Sequence, residues 1–133
     1  ITPRFAFGSG LSYTRFGLSD ARLSEASSDL SGPLEVEVAV TNEGAVDGQE
    51  VVQVYVHPLD PPVARPTQEL KAFQKLAVRA GERATLRLRL DARAFAHWDP
   101  KQGDWVTAPG RYEIRVGRAS DDLPIRLPFR VAR

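Results

Sequence analysis

Apolar and polar side chains alternate with a period of two over most of the chain. Leu34, Val36, Val38 and Val40 are interleaved with Glu35, Glu37 and Ala39, and Leu86, Leu88 and Leu90 with Arg87, Arg89 and Asp91. Tyr112, Ile114 and Val116 alternate with Arg111, Glu113 and Arg115, and Ile125, Leu127, Phe129 and Val131 with Arg126, Pro128 and Arg130. Successive side chains of a strand point to opposite faces. Each run therefore predicts a strand with one buried and one wet face, the pattern of antiparallel sheets. Residues 50–57 are more continuously apolar, with Val51, Val52, Val54, Tyr55 and Val56, and predict a strand in the middle of a sheet. Turn residues separate the runs: Asn42-Glu43-Gly44 with Asp47-Gly48, Ala80-Gly81-Glu82, and Ala108-Pro109-Gly110. Pro58, Pro61, Pro62 and Pro66 predict a long structured loop over 58–68 rather than a strand. One short helical turn is expected over 92–97.

The 133 residues suffice for one ordinary domain and are too few for two. Seven or so short strands, punctuated by 10 Gly and 10 Pro, predict an all-β fold. The expected architecture is an antiparallel β-sandwich of about seven strands, of fibronectin III or immunoglobulin type. Without cysteine, the Cys–Trp–Cys framework of antibody domains is missing, which favours the fibronectin-like branch. The first 17 residues behave differently: Phe5, Phe7, Tyr13 and Phe16 are interleaved with Gly8, Gly10 and Gly17 at neither period. The chain is accordingly divided into an aromatic, Gly-rich lead-in over 1–17 and the sandwich over 18–133. It starts Ile1-Thr2-Pro3 and has no Met, so it is read as a processed or excised part of a longer protein.

Composition narrows the chemistry. With no cysteine, a disulfide scaffold, a thiolate metal site and a Cys nucleophile are excluded. Only His57 and His97 could supply imidazole, so no metal centre is expected, and no cofactor. No apolar run approaches the ~20 residues of a membrane helix, and no leader pattern is present, so no membrane partner is expected. A net charge of +1 gives no argument for nucleic acid. The charge is unevenly spread: residues 1–78 carry six basic and ten acidic side chains, residues 79–133 twelve and seven, and 15 of the 18 basic residues are Arg. Arg87, Arg89, Arg111, Arg115, Arg126 and Arg130 fall at the polar positions of alternating runs, as do Glu35, Glu37 and Glu113. A mixed solvated face is the expected result rather than a phosphate-binding one. His97 adjoins Trp98-Asp99, but neighbours on an extended chain point apart and no Ser nucleophile motif accompanies them, so a structural role is expected. His57 reads as a capping or surface residue. Asp121-Asp122 lacks the calcium-loop pattern, and Gly8-Ser9-Gly10 lacks the Lys and the helix of a phosphate loop.

Several motifs in order carry a resemblance. Phe5-Ala6-Phe7-Gly8-Ser9-Gly10-Leu11-Ser12-Tyr13-Thr14 resembles the "PFGxGLSYT" segment that leads into the C-terminal fibronectin III-like domain of family 3 glycoside hydrolases. Val40-Thr41-Asn42-Glu43-Gly44, followed by Gly48-Gln49-Glu50-Val51-Val52-Gln53-Val54-Tyr55-Val56, is similar to that family's "V-x-N-x-G … G-x-E-V-V-Q-x-Y-V". Arg65-Pro66-Thr67-Gln68-Glu69-Leu70-Lys71-Ala72-Phe73-Gln74-Lys75 resembles "RPxKELKGFxK". Ala80-Gly81-Glu82, His97-Trp98-Asp99 and Pro109-Gly110-Arg111-Tyr112-Glu113-Ile114, ending in Val116-Gly117, complete the order. Ala6, Gln68 and Ala72 depart from the usual Pro, Lys and Gly.

The resemblance implies a bacterial β-glucosidase or β-xylosidase as parent, periplasmic or secreted, hydrolysing β-glycosidic bonds with retention. Such hydrolysis needs two carboxyl groups about 5–5.5 Å apart. The family carries both in domains that precede the segment in hand, and no position here matches either motif. No catalytic residue is therefore assigned, and the chain is expected to be a non-catalytic accessory domain whose partners are the catalytic domains of the same chain. Phe5, Phe7, Tyr13, Phe16, Arg65, Glu69 and Phe73 are candidates for that junction, with an internal Arg65–Glu69 ion pair as the alternative role of those two charges. A second function is a carbohydrate-binding module holding polysaccharide near the active site, with Trp105 and Trp98 as sugar-stacking candidates. Large aromatics are usually buried, so both Trp side chains are expected to fill the core or its lower edge, with Trp105, after the polar Lys101–Asp104 stretch, the better placed for exposure. A stand-alone protein-interaction domain is the third.

Overall fold

A computed structural model describes residues 15–59, 69–118 and 122–132. Phe5, Phe7 and Tyr13 of the lead-in, Arg65 with most of the Pro-rich loop, and Asp121 lie outside the described residues. The strands are β1 (Phe16–Leu23), β2 (Ser27–Ser28), β3 (Leu34–Asn42), β4 (Gly48–Pro58), β5 (Glu69–Val78), β6 (Arg83–Leu90), β7 (Ala96–Asp99), β8 (Asp104–Thr107), β9 (Gly110–Gly117) and β10 (Ile125–Val131). That is ten strands among the described residues, not seven. Two of the extra ones form a hairpin of four residues a side, and β2 is only two residues long. The expected helical turn is a 3-10 turn at Ala92–Phe95.

A three-stranded sheet in the order β1-β3-β6 faces a five-stranded sheet in the order β2-β10-β9-β4-β5, and β7 pairs β8 outside both. All pairs are antiparallel except β2 with β10. Strand β4 has a partner on each edge, as its continuous apolar run requires. Its even positions Val52, Val54 and Val56 meet Val36, Val38, Val40, Leu86, Leu88, Ile114, Val116 and Phe129 in one core. Its odd positions Val51, Gln53 and Tyr55 are also buried, on the outer side of the same sheet. β1 takes in Phe16 and Gly17, which the sequence reading assigned to the lead-in. Phe16 and Leu18 pair with Asn42 and Val40, whereas Leu23 pairs with Val36, because a bulge between Ser19 and Arg22 shifts the inward set by one residue. Asp20 within it has φ 51°.

The sandwich has two distinguishable ends. Phe16, Asn42, Gly48, Val78 and Arg83 gather at one end, hereafter the near end. Leu34, Leu90, Gly110 and Val131 mark the far end, roughly 25 Å away at the rise of an eight-residue strand. Phe95 closes the far end. Its ring is fully buried, edge-on to Tyr112 at 5.1 Å between centroids and 5.2 Å from Phe129. The Tyr112 hydroxyl donates to the Ala108 carbonyl at 2.7 Å, so the polar end of this buried ring is satisfied.

Candidate functional surfaces

The described chain begins at the near end, where one guanidinium holds it. Arg118 Nη1 donates to the Phe16 carbonyl at 3.0 Å, while its Nη2 and Nε donate to Asp122 Oδ2 at 2.9 and 3.2 Å. The Glu50 carboxylate lies 3.9 Å from Nη1. The backbone adds a bond from Glu43 N–H to the Arg15 carbonyl at 2.7 Å. Gly117 makes the arrangement possible. A Cβ there would sit 2.0 Å from the Asp122 carbonyl oxygen, so the Val116-Gly117 motif leaves the room in which Arg118 and Asp122 meet. Phe16 itself is 4% exposed and belongs to the core of this sandwich.

Burial pushes the Glu50 carboxyl above its ordinary value of 4.5, although a hydrogen bond from the Val51 N–H and the nearby Arg118 charge pull the other way. A carboxyl whose value is raised by folding favours the folded state below its unfolded value and loses that contribution as pH rises through the folded one. Glu50→Gln is therefore expected to raise the melting temperature at neutral pH. The gain should shrink towards zero as pH falls below about 4.5, in thermal melts recorded across that range.

Asn42 explains why the near-end turn contains an asparagine. It is fully buried. Its Nδ2 donates to the Val46 and Val78 carbonyls at 2.9 Å each, and its Oδ1 accepts from Gly44 N–H at 2.9 Å. One side chain thus joins β3, the following turn and the end of β5. On β4, the Tyr55 hydroxyl donates to Gln53 Oε1 at 2.8 Å, which satisfies a fully buried amide. Glu69 and Phe73 lie on β5, at the edge of the five-stranded sheet. Glu69 Oε1 is 3.8 Å from Lys71 Nζ, and Phe73 is 59% exposed opposite Gln53.

The two tryptophans do not fill the core. They are direct cross-strand partners on β7 and β8, with rings edge-to-face at 5.8 Å, and are 49% and 45% exposed for Trp98 and Trp105. The hairpin uses the opposed positions His97 and Val106 to face inward, so Trp98 and Trp105 must face out. Arg93, from the 3-10 turn, sets its guanidinium carbon 4.4 Å from the Trp105 ring centre, a contact that the sequence reading did not anticipate.

The charged positions sort by sheet. On the three-stranded sheet Arg22 and Arg87 share Glu37 at 2.8 and 3.0 Å, Arg89 meets Glu35 at 3.5 Å, and Arg83 bonds Asp20. The Arg22 hydrogen bond, with Arg87 behind it, holds the Glu37 carboxyl below its ordinary value. This is the mixed solvated face expected from the alternation, and exposed pairs of this kind contribute little stability. The five-stranded sheet differs: Arg115 pairs with Arg126 and Arg111 with Arg130 in register, around Glu113, which bonds Arg115 at 2.7 Å. Beside them His57 is pushed down by burial and by Arg115, and its Nδ1 makes no hydrogen bond. The buried His97 Nδ1 makes none either. Among the described residues no three His, Asp or Glu side chains converge where a metal could bind. No helix among them is long and apolar enough to cross a membrane.

Two facing sheets, one shared apolar core and a short far-end hairpin define a fibronectin type III-like β-sandwich. Comparison with known proteins agrees: residues 50–120 match the fibronectin type III-like domain family, and the chain belongs to that family. Similar segments occur in several much longer glycosidases. Thermostable beta-glucosidase B of Acetivibrio thermocellus is 39% identical over 131 residues, which are 98% of this chain and 17% of that enzyme. An exo-alpha-(1->6)-L-arabinopyranosidase of Bifidobacterium breve is 42% identical over 117 residues, 88% of this chain and 15% of that enzyme. The crystal structure of a GH3 beta-glucosidase from Bifidobacterium adolescentis superimposes with a TM-score of 0.85 at 39% identity, covering 96% of this chain and 18% of that one. The chain thus spans less than a fifth of the length of each of these relatives.

Proposed function

We propose that the chain is a non-catalytic accessory domain of a β-glycosidase of family 3, bracing the catalytic domains of the same chain. The observation that carries this reading is the near-end lock. Arg118 bonds the backbone carbonyl of Phe16 and is itself anchored to Asp122, so the start of β1 is fixed to the sandwich. A domain held this way transmits its own stability to whatever precedes it. Two relatives named for different activities, a beta-glucosidase and an arabinopyranosidase, carry a similar segment at 39% and 42% identity. That fits a structural role better than a role in choosing the sugar. In this reading the hydrolysis, with retention, uses two carboxyl groups outside this chain. The parent is bacterial and works in the periplasm or outside the cell. The exposed Phe73 on the β5 edge, with Glu69, belongs to the surface available for contact.

Interfaces between domains of one chain typically bury about 600–1,500 Å². Deleting these 133 residues from the parent is expected to lower its melting temperature by several degrees and to shorten its half-life at elevated temperature. A truncated parent with unchanged stability and activity would contradict the reading.

A further inference from the structure

The two sheets use their outward charges differently. On the three-stranded sheet the register sets Glu35 opposite Arg89 and Glu37 opposite Arg87, so cations of β6 meet acids of β3 across the strands. On the five-stranded sheet the register sets Arg126 opposite Arg115 and Arg130 opposite Arg111. Like charges directly opposite one another destabilise a sheet. Two such pairs on one face oppose the fold unless an anionic surface lies over them.

The neighbouring charges leave the excess in place. Glu113, between the two pairs, bonds Arg115 at 2.7 Å and lies 3.8 Å from Arg126. Arg111 and Arg115 engage further groups of the chain as well, so the members open to a partner are Arg126 and Arg130. Both are exposed on β10. Lys75 adds an exposed cation opposite Val51, on the same outer side. At the β5 edge Lys71 lies 3.8 Å from Glu69, and the two cancel. His57, opposite Glu113, is held towards its neutral form by burial and by Arg115. The whole chain has a net charge of only +1, so this concentration of positive charge comes from placement and not from composition.

The shape of the face says what kind of anion fits. It is a sheet surface, with Tyr55 opposite Arg115 and Pro128 opposite Glu113 set among the cations. Arg and Tyr are enriched where folded proteins meet, and contacts between domains of one chain are more polar than permanent interfaces. Guanidinium forks on such a face match carboxylates two bonds at a time. A single-stranded polyanion is held instead by a charged groove.

We infer that the outer face of β9 and β10 is the docking surface for an acidic face of a neighbouring folded domain of the same parent chain, with Arg126 and Arg130 donating to Asp and Glu carboxylates and Lys75 adding attraction. The inference rests on the bracing reading and names where on this domain that contact is made.

The test makes Arg126→Glu and Arg130→Glu together, in the 133-residue chain and in the full-length parent, beside the parent lacking these residues. In the chain alone each substitution turns a like-charged pair into an opposite one, so its melting temperature stays the same or rises. In the parent the same change sets acid against acid, and melting is expected to fall by about 2 °C or more. The fall should shrink as NaCl is raised from about 0.05 M to about 0.5 M. A parent that melts like wild type with the substitutions, yet is destabilised by the deletion, overturns this inference and leaves bracing standing. Wild-type melting in both overturns both. An equal fall in the chain alone also overturns the inference, since the arginines would then serve the fold itself. Retention of the chain on immobilised heparin, lost in the double variant while the parent's melting is unmoved, overturns it in favour of a soluble polyanion.

Discussion

Replacing Phe95 by alanine is expected to destabilise the domain by about 3–5 kcal/mol, the range for truncating a fully buried aromatic ring. The side chain comes from a four-residue 3-10 turn, yet it plugs the end of the core between Tyr112 and Phe129. Its loss removes the edge-to-face contact with Tyr112 and leaves a cavity that two sheets cannot collapse to fill, because their spacing is set by the remaining Val and Leu layers. For a domain of this size each kcal/mol moves the melting temperature by about 3–5 °C, so a fall of more than 10 °C is expected in a thermal melt. Phe95→Leu should recover a good part of it, because most of the volume returns. Equal losses for the two variants would mean that the ring's geometry matters more than its bulk.

The second large effect is at Asn42. Asn42→Ala leaves the Val78 carbonyl and the Gly44 N–H without their side-chain partner next to the core, and an unsatisfied buried group costs about 1–3 kcal/mol. With more than one partner stranded, a loss of about 2–4 kcal/mol is expected. Asn42→Asp should be no better. The carboxylate can still accept from Gly44 but cannot donate to Val46 and Val78, and it places a charge where Asn42 has no exposure. Urea titrations of the three proteins test this, with wild-type-like stability of Asn42→Asp as the contrary result. The effect reaches beyond the turn because Asn42 also exchanges backbone bonds with Gly81 and Glu82 and pairs in register with Phe16.

How much of this was legible depends on whether a strand keeps its period. β3, β6, β9 and β10 alternate without interruption, and β4 is apolar on both faces, so all five could be read from side-chain spacing. β1 could not. Its inward residues change parity at the Ser19–Arg22 bulge, which breaks a period-two pattern into two short pieces. The β7–β8 hairpin is four residues a side, too short for a period to show. That is why the tryptophans, assigned to the core on size alone, turn out to face solvent. The near-end lock was half legible. The Val116-Gly117 motif was visible, but its purpose, clearance for Asp122 beside Arg118, is a contact between the two ends of a loop and leaves no spacing signal. Asn42 was legible as a turn residue and not as a three-bond connector, because Val78 is 36 residues away.

The most direct test of bracing is scanning calorimetry of the full-length parent with and without Phe95→Ala. The substitution lies in the far end of this domain, so it changes no residue of the near-end lock. If the module braces the catalytic domains, the unfolding of the whole parent moves to lower temperature together, as one coupled transition or as parallel shifts. If only a small early transition moves, and the main one keeps its temperature and enthalpy, the domain unfolds on its own and the bracing account is contradicted.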